Sequence, residues 1–294
     1  MYDRVNLRAY VPSAEDVLDR LPQPSRLTLP DESIIWKGQL GPFAYSLRGE
    51  TLRLRGCLAT YAAGAAPSMV AHVAAERLSD RLGFDVGTAD VTRIEVFADL
   101  HLSRPVCLYL PLLVTLPRHS RLTFESASGG AETLKFITAR RSLQFYDKGV
   151  QSGCSVPGGL LRVELSYRNG GVSEQLGKGL TLAAIGGEAF RSQIAGEWSD
   201  WYRKVEKGRE LRTDLGARDF IRSLAVEQIY HKGISKVLAE IAAHRKGGVI
   251  SRSTASDRRR DVLSLAQNPK FTAPSPLLAE LEAAVAEAAL WMRT

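Results

Sequence analysis

The sequence predicts an α+β fold, with an N-terminal antiparallel sheet and packed helices followed by a helical C-terminal region. Up to about residue 172, short segments alternate apolar and polar residues, which is typical of strands with one buried face. After that point, apolar residues recur mainly at helical spacing. We therefore expect an α+β domain over residues 1–172 and a helical region over residues 173–294.

The first 116 residues contain the patterns of a hairpin and two helices. Ala44–Arg48 and Thr51–Leu58 flank a glycine turn, which predicts the first hairpin. Ser68–Leu82 carries apolar residues at helical spacing and is followed by glycine, which predicts a helix that ends there. Val106–Leu116 is a buried element that we expect to be helical despite its internal proline.

The remaining elements follow from the same two periodicities. Strands are predicted at Val91–Leu100, at Leu160–Tyr167, and in a second hairpin that joins Thr133–Thr138 to Leu143–Asp147. Helices are predicted at Glu188–Lys204, Asp219–Arg245, Ser253–Ala266 and Ser275–Met292.

Composition excludes several classes of protein. Hydrophobic residues make up 45% of the 294 residues and charged residues 24%, which is typical of a globular protein with a core. The first residues lack the apolar region of a secretory signal, and the longest apolar run is too short to span a bilayer. The three cysteines lie far apart and match neither a disulfide framework nor a zinc site. We therefore expect a cytoplasmic protein without a membrane partner.

Three motifs that would indicate other functions are absent from the sequence. The glycine-rich segment Gly171–Gly179 has Val172 where a phosphate-binding P-loop needs glycine. The five histidines are isolated, so no zinc-ligand pair is present, and no nucleophile-elbow motif supports a serine hydrolase.

Three predicted strands place charged side chains on one face by alternation. If their apolar residues face the core of one sheet, the opposite face carries the following groups: Arg93, Glu95, Asp99, Tyr146, Lys148, Arg162 and Glu164. Carboxylates are the ligands that Mg²⁺ and Mn²⁺ prefer, and a tyrosine hydroxyl can attack a phosphodiester. The alternative is a solvated sheet face, on which such charges commonly alternate.

The same three strands carry a resemblance to a known family. The blocks, in chain order, read VTRIEVFADL (91–100), TLKFITARRSLQFYDKG (133–149) and GLLRVELSYR (159–168). In this order they resemble the filamentous-phage gene II replication proteins and related rolling-circle initiators of phages and plasmids. That family nicks one DNA strand at an origin, stays linked to the 5′ phosphate through tyrosine, and later rejoins the strand.

The resemblance implies a role for individual residues. The nucleophile falls on Tyr146, and Lys148 matches the family lysine that contacts phosphate. Glu95 and Glu164 match metal-ligating positions for Mg²⁺ or Mn²⁺, with Asp99 as a third candidate. The chain departs from the family in two ways, since it lacks the histidine pair of many initiators and carries Gln151 near a position that is often glutamate.

The positive charge is concentrated in the helical half. After residue 200 there are 17 Lys and Arg against 11 Asp and Glu, which accounts for six of the net charge of +7. A basic helix after a glycine turn suits contact with phosphates, although a charge run is also typical of a solvated helix face. The predicted DNA contacts, which include two arginines of the strands, are Arg93, Arg162, Arg245, Lys246, Arg252, Arg258, Arg259 and Arg260.

These observations together predict a metal-dependent DNA nicking-joining endonuclease that initiates rolling-circle replication through a covalent 5′-phosphotyrosine. Its expected partners are single-stranded or supercoiled origin DNA, a host helicase and the replication machinery. Two alternatives remain open. One is a DNA-binding replication or regulatory protein without catalysis, and the other is a conjugative relaxase of similar chemistry.

Overall fold

The computed structural model describes residues 2–125, 131–154, 157–168, 170–212, 214–266, 268, 270–273 and 275–293. It contains a ten-stranded antiparallel sheet, helices packed on it, and a largely helical C-terminal region. The predicted α+β fold class is therefore confirmed. Among the described helices, none combines the length and the apolar character needed to cross a membrane.

The strands are named in chain order. They are β1 (Tyr2–Tyr10), β2 (Ser25–Thr28), β3 (Ile34–Leu40), β4 (Phe43–Arg48), β5 (Thr51–Cys57), β6 (Asp90–Leu102), β7 (Leu113–Thr115), β8 (Ser120–Glu125), β9 (Ala131–Ile137), β10 (Arg141–Asp147), β11 (Gly159–Tyr167), β12 (Glu206–Lys207), β13 (Glu210–Leu211) and β14 (Thr272–Ala273). The large sheet has the order β2-β3-β4-β5-β1-β6-β11-β10-β9-β8, and β7 pairs with β12 and β13 with β14. Both predicted hairpins are present, as β4–β5 and β9–β10.

The α-helices are named in the same way. They are α1 (Ala14–Arg20), α2 (Leu58–Tyr61), α3 (Val70–Leu82), α4 (Lys148–Ser152), α5 (Gly171–Gln175), α6 (Leu182–Ile185), α7 (Glu188–Arg203), α8 (Ala217–Lys232), α9 (Ile234–Lys246), α10 (Arg252–Ala266) and α11 (Pro276–Trp291). As the sequence predicts, α3 ends at Gly83, which adopts a left-handed conformation with φ of 77°.

Two predicted helices are wrong in part. Val106–Leu116 forms two short 3₁₀ turns and then β7, because prolines 105 and 111 lack the amide N–H that a continuous α-helix needs. The single helix predicted over Asp219–Arg245 is two helices, α8 and α9, separated by Gly233 at φ of 88°. A β-carbon at Gly233 would lie 2.6 Å from Thr115 Cγ2, so this position requires glycine on steric grounds as well.

One face of the sheet is buried by helices. Trp198 of α7 is fully buried, and its indole N–H donates a hydrogen bond to the Val163 carbonyl of β11 at 3.1 Å. Helix α11 contacts the segment after β6 through Glu280. The Glu280 carboxylate accepts hydrogen bonds from Tyr109 Oη at 2.6 Å and from Ser103 Oγ at 2.8 Å. The main core therefore includes α7 and α11 and extends across the predicted boundary at residue 172.

A second, smaller cluster lies within the helical region. Its buried members come from α8, α10 and the segment before β14, and they are Val226, Ile229, Tyr230, Ala266 and Phe271. The basic helix α10 packs on this cluster rather than on the sheet.

Candidate active site

Adjacent strands at the centre of the sheet carry the candidate site on the face that the core helices do not cover. In β6, Ile94, Val96 and Ala98 are buried in the core, so alternation directs Glu95 to the opposite face. In the antiparallel pairing of β11 with β6, Ser166 lies opposite Glu95, so Glu164 is its diagonal neighbour. These strands therefore gather polar groups at one place without any loop.

Three carboxylates meet at this place. Asp3, Glu95 and Glu164 each offer an oxygen atom, and these atoms all lie within 4.8 Å of one another. Burial, together with the negative charges of Glu95 and Asp3, raises the pKa of Glu164 to about 7. Three hard oxygen donors, close together and mutually repulsive, match the ligand preference of Mg²⁺ or Mn²⁺.

Asp3 is the member that the sequence analysis missed. Val5, Leu7 and Ala9 of β1 are buried, so strict alternation would turn Asp3 toward the core. The pairing of β1 with β6 shifts register between Tyr2 and Val5, which is a β-bulge. The bulge places Tyr2 in the core and brings Asp3 to the other two carboxylates.

Tyr146 of β10 lies beside the carboxylates. Its hydroxyl donates a hydrogen bond to Glu164 Oε2 at 3.5 Å, the long end of the hydrogen-bonding range. The side chain is 6% exposed, and this burial, with the charge of Glu164, raises the pKa of Tyr146 to about 12. The Arg162 guanidinium lowers that pKa and partly opposes the increase. The structure thus brings together Glu95, Glu164 and Tyr146.

Asp99 lies on the predicted face of β6 and forms an ion pair there. Arg162 lies opposite Asp99 in the β11–β6 pairing, and its Nε and Nη2 atoms contact the two carboxylate oxygens at 2.6 and 2.7 Å. The guanidinium also stacks on Phe97, with its carbon 3.7 Å from the ring centroid. Asp99 is thus paired with Arg162, whereas Asp3, whose Oδ2 lies 3.7 Å from Arg162 Nη1, supplies the third oxygen of the carboxylate cluster. A role of Asp99 as a metal ligand stays a prediction.

The two strand arginines predicted to contact DNA both have partners in the protein. Arg93 forms an ion pair with Glu95, and Arg162 is only 8% exposed. A half-buried lysine that the sequence analysis did not select, Lys135 of β9, also faces this site. Burial lowers the pKa of Lys135, while the charges of Glu164 and Glu95 raise it, so its charge acts directly on the carboxylates.

Lys148 lies outside the strand that carries Tyr146. Strand β10 ends at Asp147, whose side chain accepts a hydrogen bond from the Val150 amide and so caps α4. The prediction that Lys148 shares a strand face with Tyr146 is therefore wrong, because the strand ends before Lys148. The Lys148 amine donates to Gln151 Oε1 at 2.8 Å, and its contact with phosphate stays a prediction.

The remaining predicted DNA contacts lie at the C-terminal end of α9, at the start of α10 and in the middle of α10. All six are exposed: Arg245, Lys246, Arg252, Arg258, Arg259 and Arg260. Arg260 forms an ion pair with Asp257 at 2.9 Å. Their role in binding DNA stays a prediction.

Comparison with known proteins gives structural neighbours only. No protein-family model and no curated protein matches the sequence. The fold is similar to that of a rolling circle replication initiator protein from Geobacillus stearothermophilus, with 15% identity, coverage of 74% of this chain and 89% of that chain, and a TM-score of 0.39. It is also similar to the di-domain aromatase/cyclase StfQ of steffimycin biosynthesis, with 9% identity, coverage of 70% and 97%, and a TM-score of 0.22. At these scores neither neighbour assigns a family, so the function proposed below rests on the side chains of the site.

Proposed function

We propose that this protein is a metal-dependent DNA nicking-joining enzyme that initiates rolling-circle replication at an origin. The observation that supports it best is the position of the Tyr146 hydroxyl, 3.5 Å from a carboxylate that belongs to a three-carboxylate cluster. A tyrosine beside such a cluster is the arrangement that attack on a phosphodiester requires. The three sequence blocks that carry these residues resemble rolling-circle initiators.

The residues of the site divide the chemistry among them. Asp3, Glu95 and Glu164 would hold Mg²⁺ or Mn²⁺, and the bound metal would supply positive charge to the phosphoryl oxygens. The three carboxylates repel one another, as the raised pKa of Glu164 indicates, and a bound cation would relieve that repulsion.

The covalent step is a transfer of the phosphoryl group to tyrosine. Tyr146 Oη attacks phosphorus while its proton passes to Glu164, and the bond to the 3′ oxygen of the leaving strand breaks. The 3′ oxygen leaves with the bonding electron pair and takes up a proton from water to become a 3′-hydroxyl. The Arg162 guanidinium, which lowers the pKa of Tyr146, stabilises the negative charge that develops on its oxygen. Attack by a 3′-hydroxyl on the phosphotyrosine reverses the step and rejoins the strand.

A covalent-adduct assay tests this proposal. Single-stranded oligonucleotides that cover the DNA flanking the gene carry a fluorophore at the 3′ end, because the 3′ fragment retains the 5′ phosphate. With Mn²⁺ or Mg²⁺, we expect a labelled protein band on a denaturing gel that is lost in EDTA and in Tyr146→Phe. The matched control is Tyr10→Phe, which removes a hydroxyl from an exposed tyrosine of β1 and keeps the adduct.

A second function is a DNA-binding protein without catalysis. The observation that favours it is the burial of Tyr146, which a DNA strand must reach. It predicts that the wild-type protein binds the oligonucleotides and a supercoiled plasmid but forms no adduct with either metal. An adduct that persists in Tyr146→Phe would instead assign the nucleophile to another residue.

A further inference from the structure

An arginine-lined groove lies beside the carboxylate cluster. It has a volume of about 440 Å³ and is bordered by residues of β1, β5 and β6 and by the segment after β11. Five arginines line it: Arg8, Arg53, Arg55, Arg93 and Arg168. None of these except Arg93 was selected from the sequence, because they come from four separate segments.

The register of the strands explains how the arginines converge. Arg8 lies opposite Arg53 in the pairing of β1 with β5, and Asn6 lies opposite both Arg55 and Arg93. Leu7 and Leu54 between them are buried, so alternation places the polar side chains on the same uncovered face as Glu95. Side chains two residues apart on one strand are about 6.6 Å apart, so the groove presents a row of cations rather than one binding point.

The groove holds more positive charge than the protein itself neutralises. Arg8 pairs with Asp90 at 2.7 Å, and Arg93 pairs with Glu95. Arg53 and Arg55 are exposed and make no side-chain ion pair within the described part of the chain. The Arg168 guanidinium donates a hydrogen bond from Nη2 to the Thr138 carbonyl at 3.2 Å, and its Nε has no partner among the described residues. Because like charges repel, such a group is stabilised by an anionic ligand.

Arg93 connects the groove to the candidate active site. Its guanidinium pairs with Glu95 of the carboxylate cluster while its side chain lines the groove. We propose that the groove binds the sugar-phosphate backbone of the single DNA strand whose scissile phosphate lies at Tyr146. The choice of ligand rests on the proposed function. No aromatic residue is among the described residues that line the groove, so we expect it to contact phosphates rather than to stack bases.

Binding measured without cleavage tests the groove separately from catalysis. Fluorescence anisotropy with a labelled single-stranded oligonucleotide of mixed sequence, in EDTA, gives affinity as a function of salt concentration. We expect Arg53→Ala with Arg55→Ala to weaken binding and to reduce the slope of log affinity against log salt by about 1.4, since each lost phosphate contact contributes about 0.7.

Two matched double variants complete the experiment. Arg20→Ala with Arg203→Ala removes two exposed arginines from α1 and α7, which pack on the other face of the sheet, and should leave the slope unchanged. Arg258→Ala with Arg259→Ala removes two exposed arginines of α10 and should reduce the slope less than the groove variant does. Thermal unfolding verifies that each variant is folded.

The outcomes separate the two proposals. If the groove variant binds DNA with the wild-type slope, the proposed role of the groove is wrong. The same holds if only the α10 variant shows a reduced slope. Either result is independent of whether the Tyr146 adduct forms. Absence of the adduct, with a reduced slope in the groove variant, would overturn the nicking function and leave the groove as a binding site for single-stranded DNA.

Discussion

The two faces of the central sheet differ sharply although the same strands form both. On the covered face, Val163 of β11 and Phe145 of β10 are fully buried, and the neighbouring Trp198 packs there too. On the uncovered face, the next residues along those strands are Glu164 and Tyr146, which belong to the candidate site. Because side chains alternate along a strand, neighbouring residues of the same strand belong to the core and to the candidate site.

This comparison predicts that substitutions on the two faces have different consequences. Removal of an apolar side chain from the covered face leaves a cavity and lowers the free energy of unfolding. Removal of a carboxylate from the uncovered face relieves repulsion and changes ligand binding. Three experiments test that division.

The largest effect is expected on the covered face. Trp198→Ala removes a fully buried ring and its hydrogen bond to Val163, so we expect the free energy of unfolding to fall by about 3–5 kcal/mol. Urea denaturation measures the change. Trp291→Ala, in which the ring removed is 50% exposed, is the control and should cost less than about 1 kcal/mol. Equal losses in the two variants would contradict the assignment of the core to this face.

The pH dependence of stability tests the carboxylate cluster. The pKa of Glu164 is raised to about 7 in the folded protein from 4.5, so the folded state binds this proton more tightly than the unfolded state. In metal-free buffer the free energy of unfolding should therefore fall as pH rises between about 4.5 and 7, by about 1.4 kcal/mol for each unit of pKa difference.

Glu164→Gln removes this titration. We expect the variant to be more stable than the wild type above pH 7 in EDTA and to lose that advantage near pH 4.5. Glu50→Gln, at an exposed turn between β4 and β5, should keep the wild-type pH dependence. A Glu164→Gln variant with the wild-type pH profile would show that the cluster does not raise this pKa.

The smallest effect distinguishes Asp3 from Asp99 as the third metal ligand. At a Mg²⁺ or Mn²⁺ concentration ten times the Kd, binding to the folded state raises the free energy of unfolding by about 1.4 kcal/mol. Asp3→Asn should lose this gain, measured by thermal unfolding with and without metal, and Asp99→Asn should retain it because Asp99 does not belong to the three-carboxylate cluster. If Asp99→Asn loses the stabilisation by metal and Asp3→Asn keeps it, Asp99 is the third ligand, as the sequence predicts.

Local patterns in the sequence predict much of the fold and some of the residues of the candidate site. The alternation in β6, β10 and β11 places Glu95, Tyr146 and Glu164 on one face, because strand geometry fixes the side of each residue. Asp3 could not be found in this way, since a β-bulge reverses its side. The arginine groove depends on the order of strands in the sheet, which brings β5 and β1 beside β6 and which local patterns do not determine.

Strand β6 has a further consequence for how the protein acquires its structure. It pairs with β1 on one side and, near its end, Ser103 is held by Glu280, a residue 177 positions later in the chain. Contacts between such distant segments form slowly, because the chain loses loop entropy before the contacts stabilise it. Because β6 also contributes Ile94, Val96 and Ala98 to the core, we expect these long-range contacts to order the covered face and the carboxylate of Glu95 in one slow step.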